Sequence, residues 1–440
     1  MAPEFILAGA GFAAMLLLIV LRAPVGLAML LVGIGGYVHI LDWTALGNYL
    51  KTTPYHLFAN YTLSVIPLFI LMGALAERGG LARDLFAAAN ALVGRKRGGM
   101  AMGVIGASAC FGAVCGSSVA TTATFGRAAL PELRRYGYDP GFSTGTIVVG
   151  GTLGILIPPS VILVVYAIST EQNIAKLFMA ALIPGLIATA LYLLAIAIMV
   201  RVRPDDAPPG EAPSPTERRA AFLNVIPVLL IAMVVVGGIY GGVFTPTESA
   251  AVGCIATLAV GLLRGTLKAR QLRESLLATA ETTAMIFAIL LGAEVFNAFL
   301  ALSQAPDLLA MWISEQDLPP YGVLLLLLVA YIILGAVMDE LAMILLTLPV
   351  FFPVVTALDF GLTTEETAIW FGILVLVVVG IGLTAPPIGL NVFVISGLAK
   401  DVPIAATYRG VLPFLAMDAI RLGLLVAFPA LSLWLVGVLG

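Results

Sequence analysis

Long apolar runs constrain this chain more than any other feature of its sequence. Because the runs are unbroken rather than alternating, they disfavour an outer-membrane barrel. Of the 440 residues, 61% are hydrophobic and only 11% are charged, too few charges for the surface of a soluble protein. We therefore expect an all-α polytopic membrane protein, with the lipid bilayer as its solvent. The apolar segments fall at about 4–21, 24–41, 61–77, 101–122, 141–168, 177–200, 222–243, 247–264, 275–302, 321–337, 339–357, 367–398 and 405–437.

The remaining composition disfavours several functional classes. The net charge is −3 and no basic stripe exists, so we expect no nucleic-acid partner. Cys110, Cys115 and Cys254 have no metal-binding spacing and suggest no disulfide framework. The sequence contains no P-loop, zinc motif or Ser/His/Asp set, which argues against an ATPase or a hydrolase.

Basic residues are distributed unevenly among the loops, which predicts an orientation. By the positive-inside rule, the clusters at 78–97, 127–135, 201–219 and 264–273 are cytoplasmic. The loops at 170–176, 244–248, 303–320 and 358–366 contain one basic residue, Lys176, and are assigned to the opposite side. Both termini are then periplasmic. The start of the chain lacks a basic n-region, so it reads as a transmembrane helix rather than a signal peptide.

Two segments cannot be simple spans in this orientation. Segment 101–122 has a Gly/Ser-rich middle at 112–118 and cytoplasmic clusters on both sides. It predicts a re-entrant hairpin that enters and leaves from the cytoplasm. Segment 321–357 lies between two nearly base-free loops and predicts an opposite hairpin, with its tip near Gly335–Glu340.

The two halves of the chain repeat the same landmarks. GGTLGILIPPSVILVVYAIS starts at 150, and VGIGLTAPPIGLNVFVISGL starts at 379. The Pro-Pro pairs are 228 residues apart, the Ile-Ser pairs 227, Pro184 and Pro413 229, and Gly73 and Gly292 219. Opposite loop charges make the repeat inverted. Inverted repeats with interrupted helices are typical of secondary transporters.

The Pro-Pro pairs predict breaks at membrane depth. Each pair removes two backbone donors, so we expect unwinding near Gly150–Pro159 and near Gly380–Pro387. Freed carbonyls suit a small hard cation such as Na⁺, and the adjoining helix N-termini suit an anion. The hairpin tips and breaks add further polar groups, namely Ser117, Ser118, Thr121, Thr122, Thr124, Thr152, Ser160, Asp339, Glu340, Thr384 and Asn391.

Charged residues within apolar stretches are functional candidates. Asp339 and Glu340 at the second tip are the strongest candidates, and proton coupling through either residue stays open as an alternative. Glu281, Glu294 and Asp418 read as helix-end charges or as partners of Arg409 or Arg421. Arg127 reads as a charge on the cytoplasmic flank, with attraction of an anionic substrate as the alternative.

The motifs resemble the large membrane subunit of TRAP (tripartite ATP-independent periplasmic) transporters, within the ion-transporter superfamily. The resemblance rests on GAVCGSSVATTATFGRAALPELRRYGYDPGFSTGTIVVGGTLGILIPPSVILVVYA, and on GAVMDELAMILLTLPVFFPVV followed by GLTAPPIGLNVFV. It implies an elevator carrier in the inner membrane that imports organic acid anions, such as C4-dicarboxylates or sialic acid, with Na⁺. It also implies a small four-helix membrane subunit and a periplasmic substrate-binding protein as partners. The length of 440 residues suggests that the small subunit is a separate chain.

The resemblance also implies site residues. One Na⁺ site falls on the first tip and the 150–152 bend, and the other on 335–339 and the 382–386 bend. Glu340 departs from the family pattern, in which a smaller or apolar residue is expected. Predicted Na⁺ ligands are Gly116, Ser117, Ser118, Gly151, Thr152, Gly335, Met338, Asp339, Thr384, Ala385 and Pro386. Predicted substrate-binding residues are Ser117, Ser118, Thr121, Pro158, Pro159, Thr384, Pro387 and Asn391.

The expected organisation follows from the repeat and the resemblance. Residues 1–60 form scaffold helices with an interfacial arm, and 61–200 form the first repeat, with its broken helix at 141–168. The Pro-rich, charged stretch 201–219 is a flexible cytoplasmic linker. Residues 220–275 form further scaffold helices with an arm, and 276–440 form the second repeat, with its broken helix at 367–398. Two rival functions stay open at this stage: a stand-alone Na⁺ or H⁺ anion symporter, and a channel.

Overall fold

A computed structural model describes residues 3–439 except 212, 307, 310 and 312–317. The predicted positions of the two termini, and much of the predicted loop 303–320, lie outside the described residues. Within the described part the chain is helical and contains no strand, which confirms the all-α prediction. The helices are α1 Pro3–Val20, α2 Val25–Ile40, α3 Trp43–Phe58, α4 Val65–Arg78, α5 Leu81–Val93, α6 Gly99–Cys115, α7 Ser118–Arg135, α8 Pro140–Leu156, α9 Val161–Ser169, α10 Ile174–Val202, α11 Pro215–Tyr240, α12 Pro246–Leu263, α13 Ala269–Leu302, α14 Pro320–Gly335, α15 Glu340–Thr356, α16 Thr364–Gly382, α17 Leu390–Leu398, α18 Ile404–Ala427 and α19 Ala430–Leu439.

Several of these helices are long and apolar enough to cross a membrane. Seven meet that condition among the described residues, or eight if the bent pair α8–α9 counts as one span. Helix α16 is the most enclosed of the seven, because nearly all of its apolar stretch is buried inside the protein. The chain is therefore a multi-pass membrane protein whose second broken helix runs through its core.

The first hairpin consists of α6 and α7 and is longer than predicted. Its tip is Gly116, at a φ of 65°, followed by Ser117, whose hydroxyl caps α7. The predicted hairpin ended at residue 122, but α7 continues to Arg135. The prediction was too short because Thr121, Thr122 and Thr124 end the apolar run without ending the helix.

The second hairpin consists of α14 and α15. Its tip spans 336–339, and the Asp339 carboxylate caps α15 by accepting hydrogen bonds from the amides of Leu341 and Ala342. The hairpin begins at residue 320 and ends at residue 356, close to the predicted limits of 321 and 357. Here the apolar run and the helices coincide, because the only charged residues lie at the tip.

Both broken helices are present, and the first breaks later than predicted. Helices α8 and α9 meet at a bend of 43°, with the interruption at 157–160. The Gly150–Thr152 stretch was expected to unwind, but it is helical. Its glycines serve close packing instead, because a Cβ on Gly151 would overlap the Thr122 hydroxyl. The second interruption, at 383–389 between α16 and α17, includes most of the predicted 382–386 bend.

The linker between the halves is held in place over part of its length. The Gly98 amide donates to the Ala207 carbonyl at 3.0 Å, and the Asp139 amide to the Asp206 carbonyl at 2.8 Å. The Gly210 amide donates to the Gly94 carbonyl at 2.9 Å. The prediction of a free linker was therefore wrong for 206–210, because its backbone finds partners at the base of the first hairpin.

The two predicted arms differ in form. In the first half, α3 is separated from α4 by a short 3-10 turn at Tyr61–Ser64. In the second half, α13 runs from 269 to 302 without interruption, so no separate arm helix precedes it. Helix α3 contains Pro54 and is followed by Asn60, which caps the turn, whereas α13 contains no proline.

Candidate functional site

A cavity of about 410 Å³ lies where the two hairpin tips meet α4 and α13. The first tip contributes Gly116 and Ser117, and the second contributes Asp339 and Glu340. One wall consists of α4 and α13, which present mostly small or uncharged groups such as Gly73 and Ala278. The two repeats therefore meet around one cavity that lies between the hairpin tips.

The first turns of four helices form much of the cavity wall. Residues at the starts of α7, α9, α15 and α17 all line it. The first amides of a helix have no partner within the helix, and the helix dipole adds partial positive charge at this end. The uncharged N-termini of α7, α9 and α17 therefore favour an anionic ligand, whereas the N-terminus of α15 carries Asp339 and Glu340.

The first tip is tightly enclosed. A Cβ on Gly116 would lie 2.9 Å from the Pro159 carbonyl, so the tip packs directly on the first break. The Ser117 hydroxyl accepts a hydrogen bond from the Ala120 amide at 3.4 Å, and the Thr121 hydroxyl donates to the Ser117 carbonyl at 2.7 Å. Pro158, Pro159 and Ser160 are buried. The polar groups here are neutral.

The second tip is more open and carries charge. Asp339 Oδ1 accepts hydrogen bonds from Leu341 at 3.1 Å and Ala342 at 3.4 Å. The Ala336 carbonyl lies 3.4 Å from the Gly389 amide of the second break. Pro386 and Pro387 are exposed, in contrast to the buried prolines of the first break.

A side-chain contact joins the two repeats beneath the first tip. Asn391 Nδ2 on α17 donates to Ser118 Oγ at 2.6 Å, and Val148 O is 3.4 Å away. The other amide atom, Asn391 Oδ1, and the hydroxyl of Thr122 are buried without a hydrogen-bond partner among the described residues. A Cβ on Gly151 would overlap the Thr122 hydroxyl and approach the Ser118 carbonyl, so Gly151 lies against both groups. Oxygens of both repeats thus gather below the first tip.

Thr152 faces a different part of the molecule. Its hydroxyl lies 3.2 Å from the Tyr192 hydroxyl, and the Tyr192 hydroxyl donates to the Asp418 carboxylate, whose two oxygens lie 2.8 and 2.9 Å away. Asp418 in turn pairs with Arg421 at 2.8 Å, and both charges are buried. This ion pair agrees with the interpretation of Asp418 as a partner of Arg421.

The predicted substrate-binding residues do not all reach the cavity. Ser117 lines it, and Ser118, Thr121, Pro159 and Asn391 lie around its first tip. Thr384 instead bonds to the carbonyls of Gly380 and Ile381 within its own helix end. The carbonyls of Pro387 and Ile388 accept hydrogen bonds from Tyr408, at 3.1 and 2.7 Å.

The predicted Na⁺ ligands form two groups. Gly116, Ser117, Ser118 and Gly151 lie together at the first tip, whereas Thr152 points toward Tyr192. Around the second tip, Gly335 packs on Gly382, with Met338 and Asp339 in the adjoining turn. Ala385 bonds to the end of α16, and Pro386 is exposed.

Sequence reasoning missed the wall on the other side of the cavity. Glu77 and Arg78 of α4 line it, as do Thr282 and Met285 of α13. Arg127 pairs with Glu77 rather than standing free on the flank. These helices carried no break or tip signal, and only the folded chain brings them against the hairpins.

Comparison with known proteins gives consistent matches. The family model described as "Tripartite ATP-independent periplasmic transporter, DctM component" matches residues 12–431. The C4-dicarboxylate TRAP transporter large permease protein DctM of Pseudomonas aeruginosa is 38% identical over 382 residues, covering 87% of each chain. The sialic acid TRAP transporter large permease protein SiaM of Vibrio cholerae serotype O1 is 31% identical over 377 residues, covering 86% of each chain.

A solved structure shares the fold. The crystal structure of the Alcanivorax borkumensis YdaH transporter covers 89% of this chain and 90% of its own, with a TM-score of 0.63. The two sequences are 18% identical over this match, so the likeness concerns the fold alone.

Proposed function

Since this chain belongs to the DctM component family of tripartite ATP-independent periplasmic transporters, we propose that it imports small organic acid anions with Na⁺. The family description names one component of a tripartite system, which supports our proposal of two partners, a small four-helix membrane subunit and a periplasmic substrate-binding protein. Two similar proteins are named for C4-dicarboxylate and for sialic acid, and both ligands are carboxylates. The bacterial inner membrane is the corresponding location.

The observation that carries this proposal is that three uncharged helix N-termini, those of α7, α9 and α17, line one cavity. A carboxylate placed there meets partial positive charge without needing a basic side chain. Among the described residues, Arg78 is the only basic side chain on the cavity wall, and it also lies 3.8 Å from Glu274. Helix ends therefore supply most of the attraction for the anion.

Sodium binding is supported by the oxygens that surround the tips. Below the first tip, Thr122 Oγ1 and Asn391 Oδ1 are buried without partners among the described residues, and both are neutral oxygens of the kind that Na⁺ accepts. At the second tip, the Asp339 carboxylate at the start of α15 supplies a formal negative charge. In this proposal Na⁺ orders both tips, and the ordered helix ends then bind the anion.

Alternating access follows if the hairpins and broken helices move as one body. We place α6–α10 and α14–α19 in the moving part, because contacts such as Asn391 with Ser118 join its two halves. Helices α4 and α13 would stay with the scaffold. Their small residues at the cavity, including Gly73, Ala74 and Ala278, leave a wall past which the tips can slide.

The test is uptake of radiolabelled organic acids by proteoliposomes that contain this chain, its small subunit and the binding protein. We expect saturable uptake that requires an inward Na⁺ gradient and falls in Ser117→Ala. The exposed Thr216→Ala is the matched control and should transport normally. Uptake driven only by a proton gradient would contradict Na⁺ coupling. Uptake without the binding protein would favour a stand-alone symporter, and a non-saturable conductance a channel.

A further inference from the structure

Glu340 is a buried carboxylate at the wall of the central cavity. It is the first residue of α15, lines the cavity beside Asp339 and is only 8% exposed. Its Oε2 atom is buried and accepts no hydrogen bond from the described residues. A buried carboxyl oxygen without a hydrogen-bond partner is unfavourable, so a ligand in the cavity that offers a donor to the Glu340 carboxyl group would be stabilised.

The other charged groups of the cavity have partners. Glu77 pairs with Arg127, and Arg78 lies 3.8 Å from Glu274. Asp339 accepts two backbone hydrogen bonds at the start of α15. Glu340 is therefore the one charged residue on this wall for which the described residues offer no side-chain or capping partner.

The four helix ends around the cavity differ in charge. The residues that precede α7, α9 and α17 are Ser117, Ser160 and Gly389, all uncharged. The fourth end, at α15, carries both Asp339 and Glu340. The uncharged ends of α7, α9 and α17 are thus electropositive through their helix dipoles, whereas the end of α15 offers carboxylates.

We infer that the substrate carries a hydrogen-bond donor, a hydroxyl or an ammonium group, next to its carboxylate, and that Glu340 accepts this donor. The carboxylate faces the uncharged helix ends while the donor faces α15. This inference rests on the proposed function and narrows its substrate class. A site built around a buried acceptor discriminates strongly against an analogue that lacks the donor, because the acceptor then stays unpaired.

The test compares three C4-dicarboxylates that differ only at carbon 2: succinate with hydrogen, malate with a hydroxyl and aspartate with an ammonium group. Binding to the purified full chain in nanodiscs is measured by calorimetry at constant Na⁺. We expect malate or aspartate to bind about tenfold or more tightly than succinate. This comparison uses the wild-type chain and does not depend on any variant folding.

Two variants locate the preference. Glu340→Gln keeps an acceptor oxygen but loses the charge, so a preference for aspartate should disappear and one for malate should shrink. Glu340→Leu removes both, and the three acids should then bind alike. Glu211→Gln in the exposed linker is the control and should preserve the wild-type order.

Three outcomes would overturn the inference. Equal binding of the three acids to the wild-type chain would overturn it while leaving the proposed anion site intact. A Glu340→Gln variant that needs more Na⁺ for all three acids equally would make Glu340 a cation ligand instead. Failure of these three acids and of sialic acid to bind would contradict the proposed function itself, and the inference with it.

Discussion

The first and second hairpins meet their broken helices through the same kind of contact. In the first repeat a Cβ on Gly112 would lie 2.7 Å from the Leu153 carbonyl. In the second, a Cβ on Gly382 would lie 2.7 Å from the carbonyl carbon of Gly335. We call these two contacts the glycine seams. Away from the seams the halves diverge, because the first tip is neutral and enclosed while the second is acidic and partly open.

The repeat therefore preserves backbone geometry more closely than side-chain chemistry. Tips and breaks depend on glycine, proline and helix caps, and these recur in both halves. The caps themselves differ, since Ser117 is neutral and Asp339 is charged. In the proposed function, one backbone design supplies two cation sites of different charge around a single anion site.

The largest effect is expected at the glycine seams. Gly112→Ala and Gly382→Ala should each abolish uptake and lower stability by about 1–3 kcal/mol, because backbone atoms cannot yield to a methyl group. Thermal unfolding and proteoliposome uptake measure both. Gly106→Ala and Gly397→Ala are the controls, since a Cβ there meets nothing within 4 Å. A defect at only one seam would show that the two halves are not equivalent.

A large difference is also expected in thiol labelling at the two breaks. Ile388 is 38% exposed and Ile157 only 7%. Irregular backbone at membrane depth is tolerated where it lines protein or water, so the open second break should be wet. In a background with Cys110, Cys115 and Cys254 replaced by alanine, Ile388→Cys should react quickly with a charged thiol reagent, and Na⁺ should slow the reaction. Equal labelling of Ile157→Cys would remove the contrast.

The next effect concerns the caps. Asp339→Ala loses a charged acceptor, so the Na⁺ concentration for half-maximal uptake should rise about tenfold or more. Ser117→Ala loses a neutral acceptor and should raise it about fivefold. Asp339→Asn keeps the helix cap but removes the negative charge, so it separates these two roles of Asp339. If the charge binds Na⁺, most of the increase in the required Na⁺ concentration should persist in this variant. Equal effects of Asp339→Ala and Ser117→Ala would contradict the proposed difference between the sites.

The smallest effect concerns the contact between the halves. A double-mutant cycle of Asn391→Ala and Ser118→Ala should give a coupling of about 1 kcal/mol, as expected for one buried hydrogen bond. Denaturation of the detergent-solubilised chain measures it. Additive losses from the two single variants would mean that the 2.6 Å contact does not hold the repeats together.

The sequence predicted the tips and breaks because local chemistry determines them. Gly116, Ser117 and Asp339 are of residue types that favour helix ends, and each Pro-Pro pair interrupts a helix. The start of the first break was misplaced because the packing of Gly151 on Thr122 overrides any local tendency to unwind. Long-range contacts of this kind have no signature in a single sequence.

The scaffold side of the site was beyond sequence reasoning for the same reason. Glu77, Arg78 and Thr282 lie on regular helices with no distinguishing motif. Arg127 could not be paired with Glu77, 50 residues away, from spacing alone. Likewise, the fixed part of the linker depends on backbone partners at Gly94 and Gly98 that its composition does not reveal.

In the proposed function, Na⁺ at the two tips creates the anion site between them. The most direct test is equilibrium binding of labelled succinate, and of labelled malate, to the purified chain at several Na⁺ concentrations, with choline replacing Na⁺. Linkage requires that Na⁺ and the anion raise each other's affinity by the same factor. We predict a reciprocal increase for wild type that is reduced in Asp339→Asn. Anion binding that is unchanged when choline replaces Na⁺ would contradict the proposal that Na⁺ creates the anion site.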